Sequence, residues 1–255
     1  MDIQVQSFTV TNLRRRPVVV ETGGFVAGLS PDTDNPYLNY ATPLPGSEPT
    51  EQDVAALIGI FRERGLLPRV EFAPQAAPSV APALRAAGFA IEAVHEYLLC
   101  TPHTLTIPQP DDALRVETPT TDEEYAALDA ALAEAFGGAF VASAQGAARL
   151  RRTQQRGGAV RFVRHPQGGC AGGASCSPPA EDTAELSGVG TRPAHRGRGI
   201  ATAVTAALTG AMFARGAGSV WLEYSGEGSR RVYERAGYRP QGTRLYLSLP
   251  PAQQL

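Results

Sequence analysis

The pattern of apolar and polar residues predicts short helices and strands in both halves of the chain. In the second half, Thr121 and Glu124 form a capping-box pattern at the start of a helix with an apolar face. A long helix is predicted from Ile200 to Arg215, where Gly216 ends it. The other elements predicted in this half are strands over 114–117, 160–163, 171–177, 184–191, 219–224 and 243–249, a helix over 141–155, and a short helix capped by Ser229 and ended by Gly237.

The first half shows the later part of the same order of elements. The pattern predicts one or two strands within 17–27, a strand over 37–41 and a helix from residue 50 or 51 to 64, and then strand, helix and strand up to residue 100. Three segments also match in register. FRERGLLPRVEF matches FARGAGSVWLEY 152 residues later, and LRAAGF and the pair YL match YERAGY and a second YL 149 residues later. These ordered matches indicate an internal duplication.

Residues 101–112, TPHTLTIPQPDD, separate the two halves. They contain three prolines and two adjacent aspartates, and their apolar residues follow neither the helical nor the strand spacing over any length. Such a stretch is typical of a linker between domains. We therefore expect an α/β (α+β) protein with two related domains, over residues 1–105 and 106–255.

Composition narrows the classes of protein further. The 255 residues are 43% hydrophobic and 19% charged, as in folded globular proteins, and the net charge of -2 provides no basic field for nucleic acid. The sequence shows neither a bilayer-length apolar run nor a signal-peptide pattern. We therefore expect a cytoplasmic protein with no nucleic-acid or membrane partner. His165, Cys170 and Cys176 fit no common zinc spacing, so we expect no metal site.

All 23 basic residues are arginine, and the chain contains no lysine. This excludes a P-loop, whose lysine contacts the nucleotide phosphates. It also excludes Schiff-base chemistry and a Ser-x-x-Lys acylating site. We infer no function from the absence itself.

The most informative segment, 184–201, leads from a strand through a glycine-rich loop into the long helix. The loop amides and the helix N-terminus together favour an anion. Gly197 and Gly199 allow close backbone approach to phosphate oxygens, and Arg196 and Arg198 supply two cations. The segment predicts a pyrophosphate site. A plain glycine-rich β–α turn is the alternative, and the GxGxxG pattern of dinucleotide folds is absent.

Two motifs resemble those of the GNAT superfamily of N-acetyltransferases. Arg196-x-x-Gly199-x-Ala201 resembles the Arg/Gln-x-x-Gly-x-Gly/Ala signature of its acetyl-CoA site. The run VYERAGY over 232–238 resembles the second motif, Leu-Tyr-x-x-x-Gly-Phe. The likeness covers about residues 113–250. Because the first half resembles a degenerate copy, the chain is similar to a tandem GNAT protein.

The resemblance implies a fold and an activity. The GNAT fold is a mixed, mostly antiparallel sheet flanked by helices, here in two related halves. The implied activity is acetyl-CoA-dependent N-acetyl transfer, in which a primary amine attacks the thioester directly in a ternary complex. Acetyl-CoA would be the cosubstrate, the acceptor a small amine-bearing molecule, and the protein a monomer or homodimer without a metal. Another acyl-CoA, a thiol or hydroxylamine acceptor, and a non-catalytic acyl-CoA-binding protein remain open.

The family's motifs also imply positions for the cofactor. The strand with Val189, Gly190 and Thr191 would splay at a bulge, and its backbone would pair with the pantetheine amides and polarise the thioester carbonyl. The pyrophosphate would lie on the segment that we call the cradle: Arg196, Gly197, Arg198, Gly199, Ile200, Ala201 and Thr202.

Two residues take chemical roles in this resemblance. Tyr233 matches the tyrosine that protonates the departing thiolate, since a phenol with a pKa of ~10 is close to a thiol with one of ~8.5. Glu185 matches the strand glutamate that serves some members as general base, directly or through water. On an ideal strand it would share one face with Val189 and Thr191. Simple packing of Tyr233 and a solvated strand position for Glu185 are the alternatives.

The sequence departs from the family at several positions. Gly226 stands where an asparagine often holds the cofactor's arm, seven residues before Tyr233. In the first half, PLPGSEP over 43–49 replaces the cradle, and Leu84 stands at the tyrosine position. A loop with acidic residues and no arginine is a poor pyrophosphate site. We therefore expect the first half not to bind acetyl-CoA in the usual way.

Overall fold

The computed structural model describes residues 1–109, 114–165 and 168–250 and divides into two compact units. Unit 1 comprises residues 1–97 with the described residues from Gln241 onward, and unit 2 comprises residues 98–240. Within the predicted linker, residues 101–109 form no helix or strand, and residues 110–112 lie outside the described residues.

Helices and strands follow one another in a series that occurs twice. The order α-β-β-β-α-β-α-β runs from α1 to β5 and again from α5 to β11. The bounds are α1 (Asp2–Leu13), β1 (Val18–Thr22), β2 (Phe25–Leu29), β3 (Tyr40–Pro43), α2 (Glu51–Arg62), β4 (Arg69–Phe72), α3 (Val80–Ala86), β5 (Ala90–Cys100), β6 (Val116–Glu117), α4 (Asp122–Ala135), α5 (Ala144–Gln155), β7 (Ala159–Arg164), β8 (Cys170–Cys176), β9 (Thr183–Thr191), α6 (Ile200–Phe213), β10 (Ser219–Glu223), α7 (Glu227–Arg235) and β11 (Arg239–Ser248).

Local sequence accounts for the residues at which α2 and α4 begin. The predicted capping box at Thr121 and Glu124 is present, and a second one at Thr50 and Asp53 begins α2. Ser229 does not cap α7, because it lies inside the helix and its hydroxyl donates to the carbonyls of residues 225 and 226. Helix α1 is absent from the prediction, since its apolar residues show little helical periodicity.

Each unit is built on a mixed, mostly antiparallel sheet, which confirms the predicted fold class. In unit 1 the strand order is β1-β2-β3-β4-β11, and only β3 and β4 run parallel. In unit 2 the order is β10-β9-β8-β7-β6, and only β9 and β10 run parallel. The single parallel pair therefore occupies the same place in both series.

The sheet of unit 2 has a core on each face. On one face, residues of β8 and β9 pack under α6 and α7 in a cluster that we call the α6 core; it includes Ala184, Leu186, Val204, Leu208 and Tyr233. On the other face, residues of α4 pack on β7 in the α4 core, which includes Leu128, Leu132, Val160 and Phe162. Side chains that alternate along a strand therefore enter opposite cores.

Candidate active site

Strands β9 and β10 separate part of the way along their length. Their ladder pairs Ser219 with Thr183, Val220 with Ala184 and Trp221 with Glu185. Beyond these pairs, the rest of β9 has no partner in β10 among the described residues. The backbone groups on that edge are therefore available to a ligand, as at the edge of a sheet. Residues 189–191, the predicted pantetheine-binding stretch, lie in this separated part.

A bulge in β9 lies on the same stretch. Opposite it on β8, Gly173 pairs with Gly190 and Ser175 with Ser187, so that Ala174 faces two residues of β9, Gly188 and Val189. A bulge adds one residue to a strand and bends it. The splayed, bulged strand that the family resemblance implied is therefore present.

The bulge places Glu185 and Val189 on opposite faces of the sheet. Val189 packs against the α6 core, to which Ala184 and Leu186 also belong. Because Glu185 lies between those two residues, its side chain points to the α4 face. The expectation of a common face with Val189 and Thr191 is wrong, since it assumed an ideal strand and the extra residue shifts the alternation. Glu185 is half-buried, and the indole of its partner Trp221 is buried.

The cradle joins β9 to α6 through a 3-10 turn over Pro193–His195. Gly197 and Gly199 adopt left-handed φ angles of +77° and +78°, and Gly199 is the N-cap of α6. No side chain caps this helix, so its first amides keep their donor capacity. A Cβ on Gly197 would meet nothing within 4 Å. The cradle is thus an open surface at a helix N-terminus, where an anion is favoured.

The arginines around the cradle differ in their partners. Arg196 donates to the carbonyls of Ala135, at 3.0 Å, and Thr191, at 3.4 Å, which ties the loop to the end of α4. Arg192 pairs with Glu134 and donates to a carbonyl of β8. Arg198 is exposed, and the described part of the chain provides it with no salt bridge within 4 Å. Of the two predicted cations, Arg198 is therefore the more available to a ligand.

Two histidines stand beside the cradle, a feature that sequence reasoning missed. The rings of His165 and His195 lie 4.5 Å apart. Desolvation, followed by the charges of His165, Arg198 and Arg192, lowers the pKa of His195. The lowered pKa favours the neutral imidazole of His195. Because His165 belongs to a distant stretch of sequence, no motif predicted this pair.

Tyr233 lies on α7 and points into the α6 core. Only 7% of it is exposed, and burial raises its pKa to about 12. Its ring centroid is 6.3 Å from that of Tyr238, whose hydroxyl lies 2.6 Å from the Thr209 hydroxyl. The two tyrosines therefore differ in their surroundings. Tyr238, which follows α7, is fully buried, and its hydroxyl is hydrogen-bonded to Thr209.

The cysteines do not provide a nucleophile. All three are buried, and burial raises the pKa of Cys170 to about 11 and that of Cys176 further. The thiols therefore remain protonated at neutral pH and lack thiolate reactivity. Within residues 1–109, 114–165 and 168–250, no cluster of three or more metal-ligating side chains occurs.

Comparison with known proteins gives the family. Residues 123–238 match the model of the acetyltransferase (GNAT) family. No curated protein sequence matches the chain. None of the described helices is both long and apolar enough to cross a membrane.

Solved structures share the fold over the whole chain. A GCN5-related N-acetyltransferase from Kribbella flavida is 24% identical, with a TM-score of 0.81 over 100% of this chain and 97% of that one. A GCN5-related N-acetyltransferase from Sphaerobacter thermophilus is 17% identical, with a TM-score of 0.60 over 91% and 79%. A tandem GNAT protein from the clavulanic acid biosynthesis pathway is 13% identical, with a TM-score of 0.63 over 98% and 88%.

Residues 123–238 therefore form a domain of the GNAT family of acetyltransferases. The chain as a whole has the fold of GCN5-related N-acetyltransferases, tandem GNAT proteins among them.

Proposed function

We propose that this protein is an acetyl-CoA-dependent N-acetyltransferase with one active site, in unit 2. The observation that carries the proposal is the separation of β9 from β10 beyond Glu185, which ends at the cradle before α6. One extended ligand with amides at one end and a pyrophosphate at the other fits this arrangement. The open space at Gly197 and the uncapped helix N-terminus support the fit. So does the Thr191 hydroxyl, which is buried with no hydrogen-bond partner among the described residues.

The cofactor supplies an activated acetyl group as a thioester. Backbone amides in residues 189–191 are proposed to hold its amide-bearing arm and to stabilise the oxyanion that forms on attack. Gly199 and the first turn of α6 hold the pyrophosphate, and Arg198 neutralises part of its charge.

Glu185 and Tyr233 lie on opposite faces of the sheet. Glu185 is proposed to take the proton from the attacking amine on the α4 face, directly or through a water. Tyr233 is proposed to donate a proton to the leaving sulfur on the α6 face. If the thioester lies between the two strands, the amine would approach it from the α4 face and the thiol would leave on the α6 face.

The raised pKa of Tyr233 bears on its role. Transfer from a phenol with a pKa of about 12 to a thiolate with an aqueous value of ~8.5 is uphill by about 5 kcal/mol. Burial that raises the pKa of Tyr233 raises that of a sulfur in the same place, as it does for Cys100 and Cys176 in the same core. The transfer inside the site is therefore less uphill than the comparison with an aqueous thiolate gives.

The test is an assay of free thiol release with several acyl-CoAs and a panel of amines, followed by mass spectrometry of the products. The proposal expects acetyl-CoA to be consumed only when an amine is present, with the acetyl group recovered on nitrogen. A preference for longer acyl-CoAs, or for thiols or hydroxylamines, would redirect it to another acyl transfer. Binding of acyl-CoA without turnover of any acceptor would contradict catalysis altogether.

A further inference from the structure

The side chain of Gln6 joins two strands of unit 1 from inside the protein. Gln6, on α1, is completely buried. Its amide nitrogen donates to the Thr42 hydroxyl at 2.7 Å and to the Pro43 carbonyl at 2.6 Å, both on β3. Its amide oxygen accepts from the Ala73 backbone nitrogen at 2.9 Å, directly after β4. One acceptor and two donors of the carboxamide are thus all satisfied.

The strands that Gln6 joins are the parallel pair of unit 1. Strands β3 and β4 pair only at Ala41 and Val70, and beyond that point the bridge between them passes through side chains. The Thr42 hydroxyl donates to the Glu71 carbonyl at 2.7 Å, and Gln6 spans the next positions. The gap that opens between β9 and β10 in unit 2 is therefore present between β3 and β4 in unit 1, where it is filled.

The duplication relates the two gaps. At the 152-residue spacing of FRERGLLPRVEF and FARGAGSVWLEY, Val70, where the β3–β4 pairing ends, corresponds to Leu222, the residue after the last β10 pair. At the same spacing Ala73 corresponds to Ser225, and in unit 1 the Ala73 backbone nitrogen donates to the carboxamide of Gln6. In unit 2 the corresponding edge of β9 has no described strand partner.

We propose that unit 1 contains an amide-binding site between β3 and β4, and that the carboxamide of Gln6 permanently occupies it as an internal ligand. Helix α1 holds Gln6 in place through a second buried contact, in which Arg244 of β11 donates to Thr9 at 2.9 Å. The helix N-terminus beside the gap is filled as well. The Asp53 carboxylate accepts from the Thr50 amide at 2.8 Å, so the start of α2 already holds an anion. Unit 1 thus keeps backbone and side-chain groups placed to bind an amide, and its own Gln6 side chain supplies that amide.

The test is chemical rescue of Gln6→Ala, which removes the atoms of one acetamide molecule. Losing the three hydrogen bonds inside the core should lower Tm by about 6–15 °C. Acetamide should then raise the Tm of Gln6→Ala by about 2–4 °C relative to its effect on the wild-type chain. Acetone has a similar size and an acceptor but no donor, and it should not do so. The readout is stability, so it does not depend on whether unit 2 transfers acyl groups.

The matched control is Val5→Ala, the neighbouring completely buried residue of α1. It removes apolar atoms, and acetamide should not rescue it. Equal shifts by acetamide in Gln6→Ala, Val5→Ala and wild type would overturn the proposal, as would equal rescue by acetone. If Gln6→Ala does not fold, Gln6→Met keeps the volume without the amide. Hydrogen exchange at Ala73 should be slow in wild type and at least tenfold faster in Gln6→Met, and fast exchange in wild type would also overturn the proposal.

Discussion

Glu185 and Trp221 are the last paired residues of the parallel strands β9 and β10. The gap begins directly beyond this pair, and the bulge at Gly188 and Val189 lies in the same stretch of β9. A side chain proposed as the general base therefore stands where the strands separate. The following variants test whether this arrangement acts as proposed.

Gly199→Asp should remove cofactor binding. The new side chain would be strained at a φ of +78°, its Cβ would lie 3.3 Å from Leu114, and its charge would repel pyrophosphate. Together these effects should cost ~3 kcal/mol or more, over a hundredfold in affinity for acetyl-CoA by calorimetry. Gly216→Asp is the control, because its φ of +87° imposes the same strain at the other end of α6. Equal affinity in the two variants would reject the cradle.

Glu185→Gln should lower turnover with amines ~10²-fold near neutral pH, because the proton acceptor is lost while the size is kept. Activity should recover in part at high pH, where the free amine is abundant. Full pH–rate profiles check this, with Glu123→Gln as control, since Glu123 is exposed in the first turn of α4. Superimposable profiles for Glu185→Gln and wild type would leave Glu185 a structural role only.

Tyr233→Phe should affect turnover, whereas Tyr238→Phe should affect stability. Loss of the Tyr233 hydroxyl should lower turnover ~10²- to 10³-fold and change substrate affinity little. The reason is that the hydroxyl acts only in the transition state, when negative charge builds on the leaving sulfur. Loss of the Tyr238 hydroxyl breaks the bond to Thr209 and should cost about 1–2 kcal/mol of stability while turnover persists. Steady-state kinetics measure turnover and urea unfolding measures stability, both on the same samples of the two variants. Tyr233→Phe with turnover within threefold of wild type, and chemistry rate-limiting, would remove Tyr233 from the mechanism.

Stability should fall at alkaline pH in part because of Tyr233. Its pKa is raised to about 12 in the folded protein, whereas the unfolded chain releases this proton near its ordinary value of 10. The contribution is fully present below pH 10 and is lost as the pH rises through 12. Between pH 8 and 11, urea unfolding should show that wild type loses about 1–1.5 kcal/mol more than Tyr233→Phe. Equal losses would mean that the phenol is not buried in solution.

One chain should bind one acetyl-CoA. In unit 1 the helix start holds Asp53 and the strand gap holds Gln6, whereas unit 2 keeps both places open. Calorimetry should give a stoichiometry near one for wild type, with binding lost in Gly199→Asp. Two equivalent sites per chain, or one site that survives Gly199→Asp, would show that unit 1 binds the cofactor.

Local signals determined much of the fold. The capping box at Thr121 and Glu124 and the helix that begins at Ile200 lie where the sequence predicted them, because a few neighbouring residues decide these features. The later part of the repeated order, α2 to β5 and α6 to β11, also followed from the sequence matches. Helix α1 escaped prediction because its stability comes from burial of Phe8 and Leu13 and from Gln6, and propensity does not report such contacts.

The sequence by itself determined the family motifs, the chemistry of the cradle and the absence of lysine, since each depends on residue types at fixed short spacings. Only the tertiary structure decided which faces Glu185 and Val189 occupy, because a single inserted residue in β9 reverses the alternation of a strand. Only the tertiary structure placed Gln6 between β3 and β4, more than thirty residues away along the chain. Contacts at such separations depend on how the strands pair and part, and no local pattern of residues encodes that.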